Sequence, residues 1–501
     1  MCGIVCLFGE QRDVPHEILT HRGPDGYATK TLGRCRVDFH RLAINDLTDA
    51  GMQPFTRDDV MYACNGEIYN HKELAMGNEN SESDCECLGP YIKLFGIQRT
   101  LQEVRGDFAF VYTDGKHIVA ARDPVGVRPL FYTHYAKESI AFASEVKALL
   151  FLNTPVHVFP PGTFYDSHIN QFITYYTGYW HVRTKVSSNH ALKETLEDAV
   201  RVRLKNTQRD VGFLLSGGLD SSLIASIAQR MVGKIKTFSI GLEGSPDLEA
   251  ARKVAKFIGS EHHEVTFTIE EGLDNVTSVI AALESYDTTT VRASVPMYLL
   301  CKYIKERTSC RYIFSGEGSD ELLGGYLYFK NAPGVQEFAT ENMRRLKLIH
   351  QFDGLRADRC AGAHGLDLIV PFLDVHFIKA CMEMNQCEKI GPCEKRVLRE
   401  AFIGYLPEEI LWRQKDAMSD AVGTQWVEAL RAKADDVVSD TAFMVNRADH
   451  NPPLTKEEVW YREIFWKFFG TRHDHLISEI WRPRWTHITD PSARLLIKSQ
   501  S

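Results

Sequence analysis

Val211-Gly212-Phe213-Leu214-Leu215 runs directly into Ser216-Gly217-Gly218-Leu219-Asp220-Ser221-Ser222, and an apolar-periodic segment, Leu223 to Val232, follows. That order reads as buried strand, tight loop and helix N-terminus. Backbone N–H groups converge in such a loop, and with the positive end of the helix dipole they form an anion site. Two glycines let the backbone approach a phosphate, and three serine hydroxyls can donate to its oxygens. Asp220 is a poor phosphate ligand but a good magnesium ligand. The loop suits a pyrophosphate with its metal, which points to ATP cleaved to AMP. It is not a Walker A loop, because no Gly-x-x-x-x-Gly-Lys-[Ser/Thr] string occurs. The competing reading is an ordinary Ser/Gly turn capping a helix.

Around this string, short apolar strands alternate with helices: Gly212–Leu215, Lys236–Ile240, His263–Phe267 and Arg311–Phe314. Leu192, Leu196, Ala199, Val200 and Leu204 mark an amphipathic helix before them. The alternation predicts an α/β, doubly wound parallel sheet, with a mostly helical part after about residue 330. The first ~180 residues differ: short strands such as Met61–Cys64, Phe108–Tyr112 and Ile140–Ala143 are separated by Gly and Pro, a mostly antiparallel pattern. A polar, aromatic connection, Tyr175 to Ser188, divides a domain over 1–178 from one over 189–501.

With 58 basic and 66 acidic residues the net charge is −8, which gives no broad electrostatic reason to expect nucleic acid. No apolar run reaches the ~18 residues of a membrane span, and no signal peptide is indicated. Twelve cysteines without a secretion signal argue for free thiols in a reducing, cytoplasmic compartment. Cys85-x-Cys87 and the spaced Cys381, Cys387 and Cys393 do not match zinc-site spacing. Arg482-Pro483-Arg484-Trp485 reads as a surface strap.

Cys2 follows the initiator methionine, whose removal would leave a thiol nucleophile beside its own α-amine as base. Met1-Cys2-Gly3-Ile4, His21-Arg22-Gly23-Pro24-Asp25-Gly26 and Asn65-Gly66-Glu67-Ile68-Tyr69-Asn70 resemble the class II (N-terminal nucleophile) glutamine amidotransferases. Arg105-Gly106-Asp107-Phe108-Ala109-Phe110 and the Arg122–Leu130 stretch extend the resemblance. It implies an α+β Ntn hydrolase sandwich of antiparallel sheets that hydrolyses glutamine at Cys2. Asn65 and Gly66 would supply the oxyanion hole, and Arg41, Ile44, Asn45, Asn65, Gly66, Glu67 and Asp84 would hold glutamine. Arg41 suits the α-carboxylate, and Glu67 or Asp84 the α-ammonium. Asn45 stands where such proteins usually have an apolar residue.

The Ser216–Ser222 string resembles the pyrophosphate loop of N-type ATP pyrophosphatases. Ser315-Gly316-Glu317-Gly318-Ser319-Asp320-Glu321 packs three carboxylates into five positions, a crowding that calls for cations. With Ser285–Ser294, Pro371-Phe372-Leu373-Asp374 and Trp412-Arg413-Gln414-Lys415, these strings resemble glutamine-dependent asparagine synthetase over nearly the whole chain. The resemblance implies that aspartate, ATP and glutamine give asparagine, AMP, pyrophosphate and glutamate through β-aspartyl-AMP. A related amidotransferase acting on another carboxylate is the alternative.

By motif, Leu215, Ile240, Ser315 and Gly316 would contact ATP, while Ser216, Gly217, Gly218, Ser221 and Ser222 would cradle pyrophosphate. Asp220 and Asp320 would hold Mg2+. Glu317, Lys395 and Lys415 would be catalytic, and Thr289, Arg292, Asp320 and Glu321 would lie near aspartate. Ile369 and Asp367 stand where relatives usually carry arginine and glutamate, so an ion pair between those positions would be lost. The partners implied are small molecules, with neither nucleic acid nor membrane, and a homodimer is the expected assembly.

Overall fold

The computed structural model describes residues 1–77, 79–177, 189–414, 422–445 and 448–487. Two compact units form: Met1–Gly178 with Val202–Asp210 and Ala361–Leu368, and Tyr179–Arg201 with Val211–Cys360 and Ile369–Ser501.

The first unit is an antiparallel sandwich. Its described strands are β1 (Gly3–Phe8), β2 (Gly26–Leu32), β3 (Cys35–Arg41), β4 (Phe55–Arg57), β5 (Val60–Ile68), β6 (Gly106–Thr113), β7 (Ile118–Arg122), β8 (Phe131–Ala136), β9 (Ser139–Ala143), β10 (His157–Val158), β11 (Thr163–Asp166) and β12 (Gln171–Thr174). One sheet has the order β10-β8-β9-β1-β3-β2 and the other β12-β11-β7-β6-β5-β4. Side chains alternate across a strand, and the sequence follows that period. Ile4, Cys6 and Phe8 of β1 meet Met61, Ala63, Ala109 and Val111 of β5 and β6 between the sheets. The intervening Tyr62, Cys64, Phe108 and Phe110 face a second core with Leu88, Tyr91, Ile92 and Leu101. β5 is thus covered on both faces, which is why it reads as a nearly continuous apolar run.

The second unit carries a parallel sheet: β13 (Val211–Leu214), β14 (Lys236–Gly241), β15 (Glu261–Thr266) and β16 (Tyr312–Phe314), with Ile369, the last residue of β17 (Asp367–Ile369), at its edge. The order is β15-β14-β13-β16-β17, and β13 pairs in parallel with both β14 and β16. The Ile369 carbonyl accepts from the Ser315 N–H at 2.9 Å. Helices Leu219–Val232 and Pro246–Ile258 follow β13 and β14, and Ile269–Leu283 and Thr288–Arg307 lie between β15 and β16. The chain leaves β13 in one direction and returns to its other side. Right-handed crossovers therefore place helices on both faces, and a crevice opens beyond the carboxyl ends of β13 and β16.

Local chemistry sets these helices. Thr268 and Glu271 form a reciprocal capping box at one start, and Asp287 caps the helix from Thr288. Among the described residues no helix is long and apolar enough to cross a membrane, and all twelve cysteines are free thiols.

Phe142, fully buried between the sheets, anchors the first unit. Phe142→Ala is expected to cost about 3–5 kcal/mol and to lower that unit's calorimetric transition selectively.

Candidate active sites

Cys2 immediately precedes β1. Its sulfur accepts from the Leu42 N–H at 3.4 Å, just beyond the end of β3. Its carbonyl accepts from Arg22 Nε at 2.9 Å, and Arg22 is fixed in turn by Glu145 at 2.9 Å. Burial raises the Cys2 thiol pKa, while the neighbouring N-terminal ammonium pulls it down. The α-nitrogen of Cys2 is a peptide nitrogen while Met1 is attached. The Met1 ammonium is itself buried and donates to the Leu366 carbonyl at 3.2 Å.

Asn65 lies near the end of β5 with no exposed surface, and among the described residues neither its Oδ1 nor its Nδ2 has a hydrogen-bond partner. An orphaned buried amide costs on the order of 1–3 kcal/mol, so it marks a donor prepared for a ligand. Gly66 beside it has φ +155°, and a Cβ there would meet the Asp107 carbonyl oxygen at 2.1 Å. No larger residue fits at this point.

Glu67 and Asp84 form a buried carboxylate pair. Asn206 Nδ2 bridges them, at 2.6 Å from Glu67 and 3.2 Å from Asp84. Asn45 Nδ2 also donates to Glu67, at 3.0 Å, so the polar residue at position 45 props this carboxylate. Burial, with Asp84 beside it, pushes the Glu67 carboxyl well above its ordinary range, and the Cys2 thiol acts on it as well. Arg41 donates to the carbonyls of Thr48, at 2.6 Å, and Asp46. The Ile44 carbonyl is taken by the Gln208 N–H at 3.1 Å. Asp367 pairs with Arg128 at 2.7 Å, both side chains buried. Ile369 itself is a fully buried apolar residue.

In the second unit, loops leaving β13 and β16 meet in one cavity lined by Leu215, Ser216, Gly218, Asp220, Ser221 and Ile240. Ser315, Gly316, Glu317, Asp320, Glu321 and Thr289 complete that wall. Gly217 has φ +72°, and a Cβ would strike Ala250 at 2.5 Å. At Gly316 a Cβ would lie 2.5 Å from the Ser221 backbone nitrogen, so the two loops touch through glycine. Gly217 and Ser222 sit behind the lining, and the Ser222 hydroxyl is buried without a hydrogen-bond partner. No side chain caps the helix that begins at Leu219, which leaves its first N–H groups available to an anion.

Lys395 Nζ stands 2.6 Å from Asp220 Oδ2 and 2.6 Å from Asp320 Oδ1. The lysine is 1% exposed and adopts a left-handed backbone, φ 54°, a strained conformation of the kind concentrated at functional sites. Asp220 Oδ1 is buried without a hydrogen-bond partner. Two convergent carboxylates with an unused oxygen match how Mg2+ is held, by one or two carboxylates plus phosphate oxygens. Among the described residues no cluster of three or more His, Cys, Asp or Glu forms an all-protein metal cage.

Glu317 accepts from Arg356 at 2.8 Å, and Arg356 also pairs with Asp353. The Tyr326 hydroxyl lies between Glu321 and Asp353, 2.7 Å from the latter. Burial and the charge on Asp353 push the Glu321 carboxyl well up. Burial works against ionisation of Asp353 too, but Arg356 and Tyr326 hold its carboxyl below the usual range. Their surroundings thus push the two carboxyls in opposite directions, Glu321 up and Asp353 down. Arg356, Asp353 and Asn206 were not marked by the sequence reading, because none sits in a string whose spacing announces chemistry, and Tyr326, which closes Gly324-Gly325-Tyr326 after the carboxylate loop, was given no role.

Arg292 was expected near aspartate. It is absent from the cavity lining, and its guanidinium grips Glu457 bidentately, Nε at 2.8 Å and Nη2 at 2.6 Å. Thr289 does line the cavity, and its Oγ1 is buried without a partner. Lys415 lies outside the described residues.

Comparison with known proteins covers both units. The asparagine synthase family matches residues 191–342 and 330–496, and the glutamine amidotransferase domain matches 1–171. A probable asparagine synthetase [glutamine-hydrolyzing] of Acanthamoeba polyphaga mimivirus is 38% identical, over 99% of this chain and 100% of its own. Asparagine synthetase [glutamine-hydrolyzing] 1 of Saccharomyces cerevisiae is 40% identical, over 99% and 98%. The Asparagus officinalis asparagine synthetase [glutamine-hydrolyzing] is 38% identical, over 99% and 92%.

The Arg292–Glu457 pair is buried, with side chains 3% and 2% exposed. Glu457→Ala should strand the guanidinium and lower stability by about 3–5 kcal/mol in denaturant unfolding, whereas a ligand-facing arginine would leave stability nearly unchanged.

Proposed function

The chain belongs to the glutamine-hydrolysing asparagine synthetase family, and on that premise we propose how its two units divide the reaction. It is an ATP-dependent carbon–nitrogen ligase that makes asparagine from aspartate with glutamine as nitrogen donor. The observation that carries the assignment is the pairing of two unfinished sites. One is an orphaned Asn65 amide in the unit that carries Cys2; the other is a carboxylate-lined phosphate loop in the unit that carries Asp220 and Glu317.

In the first unit, removal of Met1 frees the Cys2 amine. That amine takes the thiol proton, and the thiolate attacks the side-chain carbonyl carbon of glutamine. The oxyanion accepts from the Asn65 amide and the Gly66 N–H, worth on the order of 10²–10³ in rate per donor. The proton passes to the departing nitrogen, ammonia leaves, and water hydrolyses the thioester to glutamate. Arg41 is suited to the α-carboxylate of glutamine, beside Ile44 and Asn45. The Glu67–Asp84 pair is suited to its ammonium.

In the second unit, an aspartate β-carboxylate oxygen attacks the α-phosphorus of ATP and pyrophosphate leaves. The helix N-terminus with Ser216, Gly217, Gly218, Ser221 and Ser222 cradles the leaving group. Leu215, Ile240, Ser315 and Gly316 line the nucleotide. Asp220 and Asp320 would hold Mg2+, which supplies charge neutralisation on the phosphates. Lys395 and Lys415 add positive charge. Ammonia then attacks the acyl carbon, Glu317 accepts a proton from it, and AMP departs. Thr289 and Glu321 face aspartate. We expect the enzyme to work in the cytoplasm and to form a homodimer.

Incubation with aspartate, glutamine, ATP and Mg2+ should yield asparagine, glutamate, AMP and pyrophosphate in equal amounts. Glutamate without asparagine would move the assignment to another acceptor. Cys2→Ala should abolish glutamine-dependent synthesis and spare ammonia-dependent synthesis; equal loss of both would overturn the two-site division.

Glu67 sets a pH dependence. Only its ionised form attracts an ammonium, and its pKa is raised by burial and by Asp84. The kcat/KM for glutamine should therefore fall as pH drops through a pKa above the usual carboxylate range. Glu67→Gln should remove that acid limb while lowering kcat/KM at high pH.

A further inference from the structure

We propose that Trp481 is a positioning residue that walls the acceptor end of the synthetase cavity and sets affinity for aspartate; this rests on reading that cavity as the aspartate site. Trp481 is 6% exposed and lines the cavity together with Thr289, Glu317 and Tyr326. It ties together two elements that face the acceptor.

The first tie is through its backbone. The Trp481 N–H donates to Asp287 Oδ1 at 2.6 Å. The other oxygen of Asp287 takes the Thr290 N–H at 2.9 Å and the Thr290 hydroxyl at 2.7 Å. Asp287 thereby fixes the first turn of the helix that carries Thr289.

The second tie is through its ring, which stands edge-on to Tyr326 at 5.3 Å and 67°, and to Tyr328 at 5.9 Å and 83°. Such tilted aromatic pairs hold both position and orientation. Tyr326 is the residue whose hydroxyl bridges Glu321 and Asp353. Those carboxylates, with Arg356 on Asp353, give this end of the cavity charges of both signs, as a zwitterionic amino acid needs.

The segment is pinned independently of the indole contacts to Tyr326. The Arg345 guanidinium lies over the Trp481 ring at 4.2 Å and donates to the Arg482 carbonyl. Arg482 pairs with Glu458 at 3.0 Å and Arg484 with Glu341 at 3.2 Å. Truncating the indole forfeits the Arg345–ring contact but leaves the Trp481 N–H bond to Asp287, the Arg345 bond to the Arg482 carbonyl and the Arg482 and Arg484 ion pairs in place. It also frees Tyr326 to swing, so the acceptor loses its carboxylate partners while the nucleotide keeps its own loop.

The test is steady-state kinetics of ammonia-dependent asparagine formation in the full chain. Trp481→Ala should raise the aspartate KM by about tenfold with the ATP KM changed by less than about twofold, a split that general loosening would not give. Trp481→Phe, which keeps an aromatic edge, should restore most of the affinity. An unchanged aspartate KM in Trp481→Ala, a parallel rise for ATP, or no rescue by phenylalanine would overturn the proposal. Should Trp481→Ala fail to fold, Tyr326→Phe keeps the ring contact and removes the hydroxyl bridge; it should raise the aspartate KM alone, and an unchanged KM overturns the proposal. If the unaltered protein makes no asparagine, it is the reading of the cavity that fails, a result distinct from a functional enzyme indifferent to Trp481.

Discussion

One buried ammonium between two carboxylates organises the synthetase unit. Lys395 joins Asp220, on the helix after β13, to Asp320, on the helix after β16, at 2.6 Å each. Both carboxylates are carried to the switch point by the strand order, where two parallel strands diverge into opposite crossovers. Two like charges brought this close out of water repel strongly unless cations intervene. A single lysine serves both of them, and the nearby Arg356 guanidinium is taken up by Glu317 and Asp353. The strained φ 54° of Lys395 is the local cost of reaching both. The arrangement leaves a place for further positive charge and for the phosphates that come with it.

The amidotransferase unit follows the same electrostatic logic on an unrelated scaffold. Glu67 and Asp84 share the Asn206 amide, and among the described residues no cation donates to either of them. Burial pushes Glu67 towards its neutral form, and an incoming ammonium reverses that preference. Asn65 supplies the complement, a dipole without a partner, suited to a developing negative charge. Both units thus keep free energy in reserve as unsatisfied charge or dipole, which ligands release. Arg292 and Glu457 do the opposite: a buried, bidentate pair that contributes architecture.

Strings that must serve the backbone were legible in the sequence. Gly66, Gly217 and Gly316 are required because a neighbouring backbone or side chain occupies the space of a Cβ, and each sits in a string that betrays it. The strand–loop–helix order around β13 is as expected, although the helix begins at Leu219, four residues before the apolar-periodic segment from Leu223, and the strands of the sandwich announce themselves by alternation. Contacts between residues far apart in sequence were not legible. Nothing near Arg292 signals Glu457, which is 165 positions away. Nothing at Asp367 signals Arg128, which lies far away in the sequence. Asn206, Asp353, Tyr326 and Trp481 escaped for the same reason: their roles arise only when folding brings separate segments together. Asn45, a departure from pattern in the sequence, becomes intelligible as a prop for Glu67.

The central claim is that the carboxylate-lined crevice joins an acceptor carboxylate to the α-phosphorus of ATP. Aspartate labelled with ¹⁸O in its β-carboxylate tests this most directly. The account predicts that one labelled oxygen passes to AMP as asparagine forms, and that pyrophosphate stays unlabelled. Label in pyrophosphate or inorganic phosphate, or asparagine formed with unlabelled AMP, would contradict it.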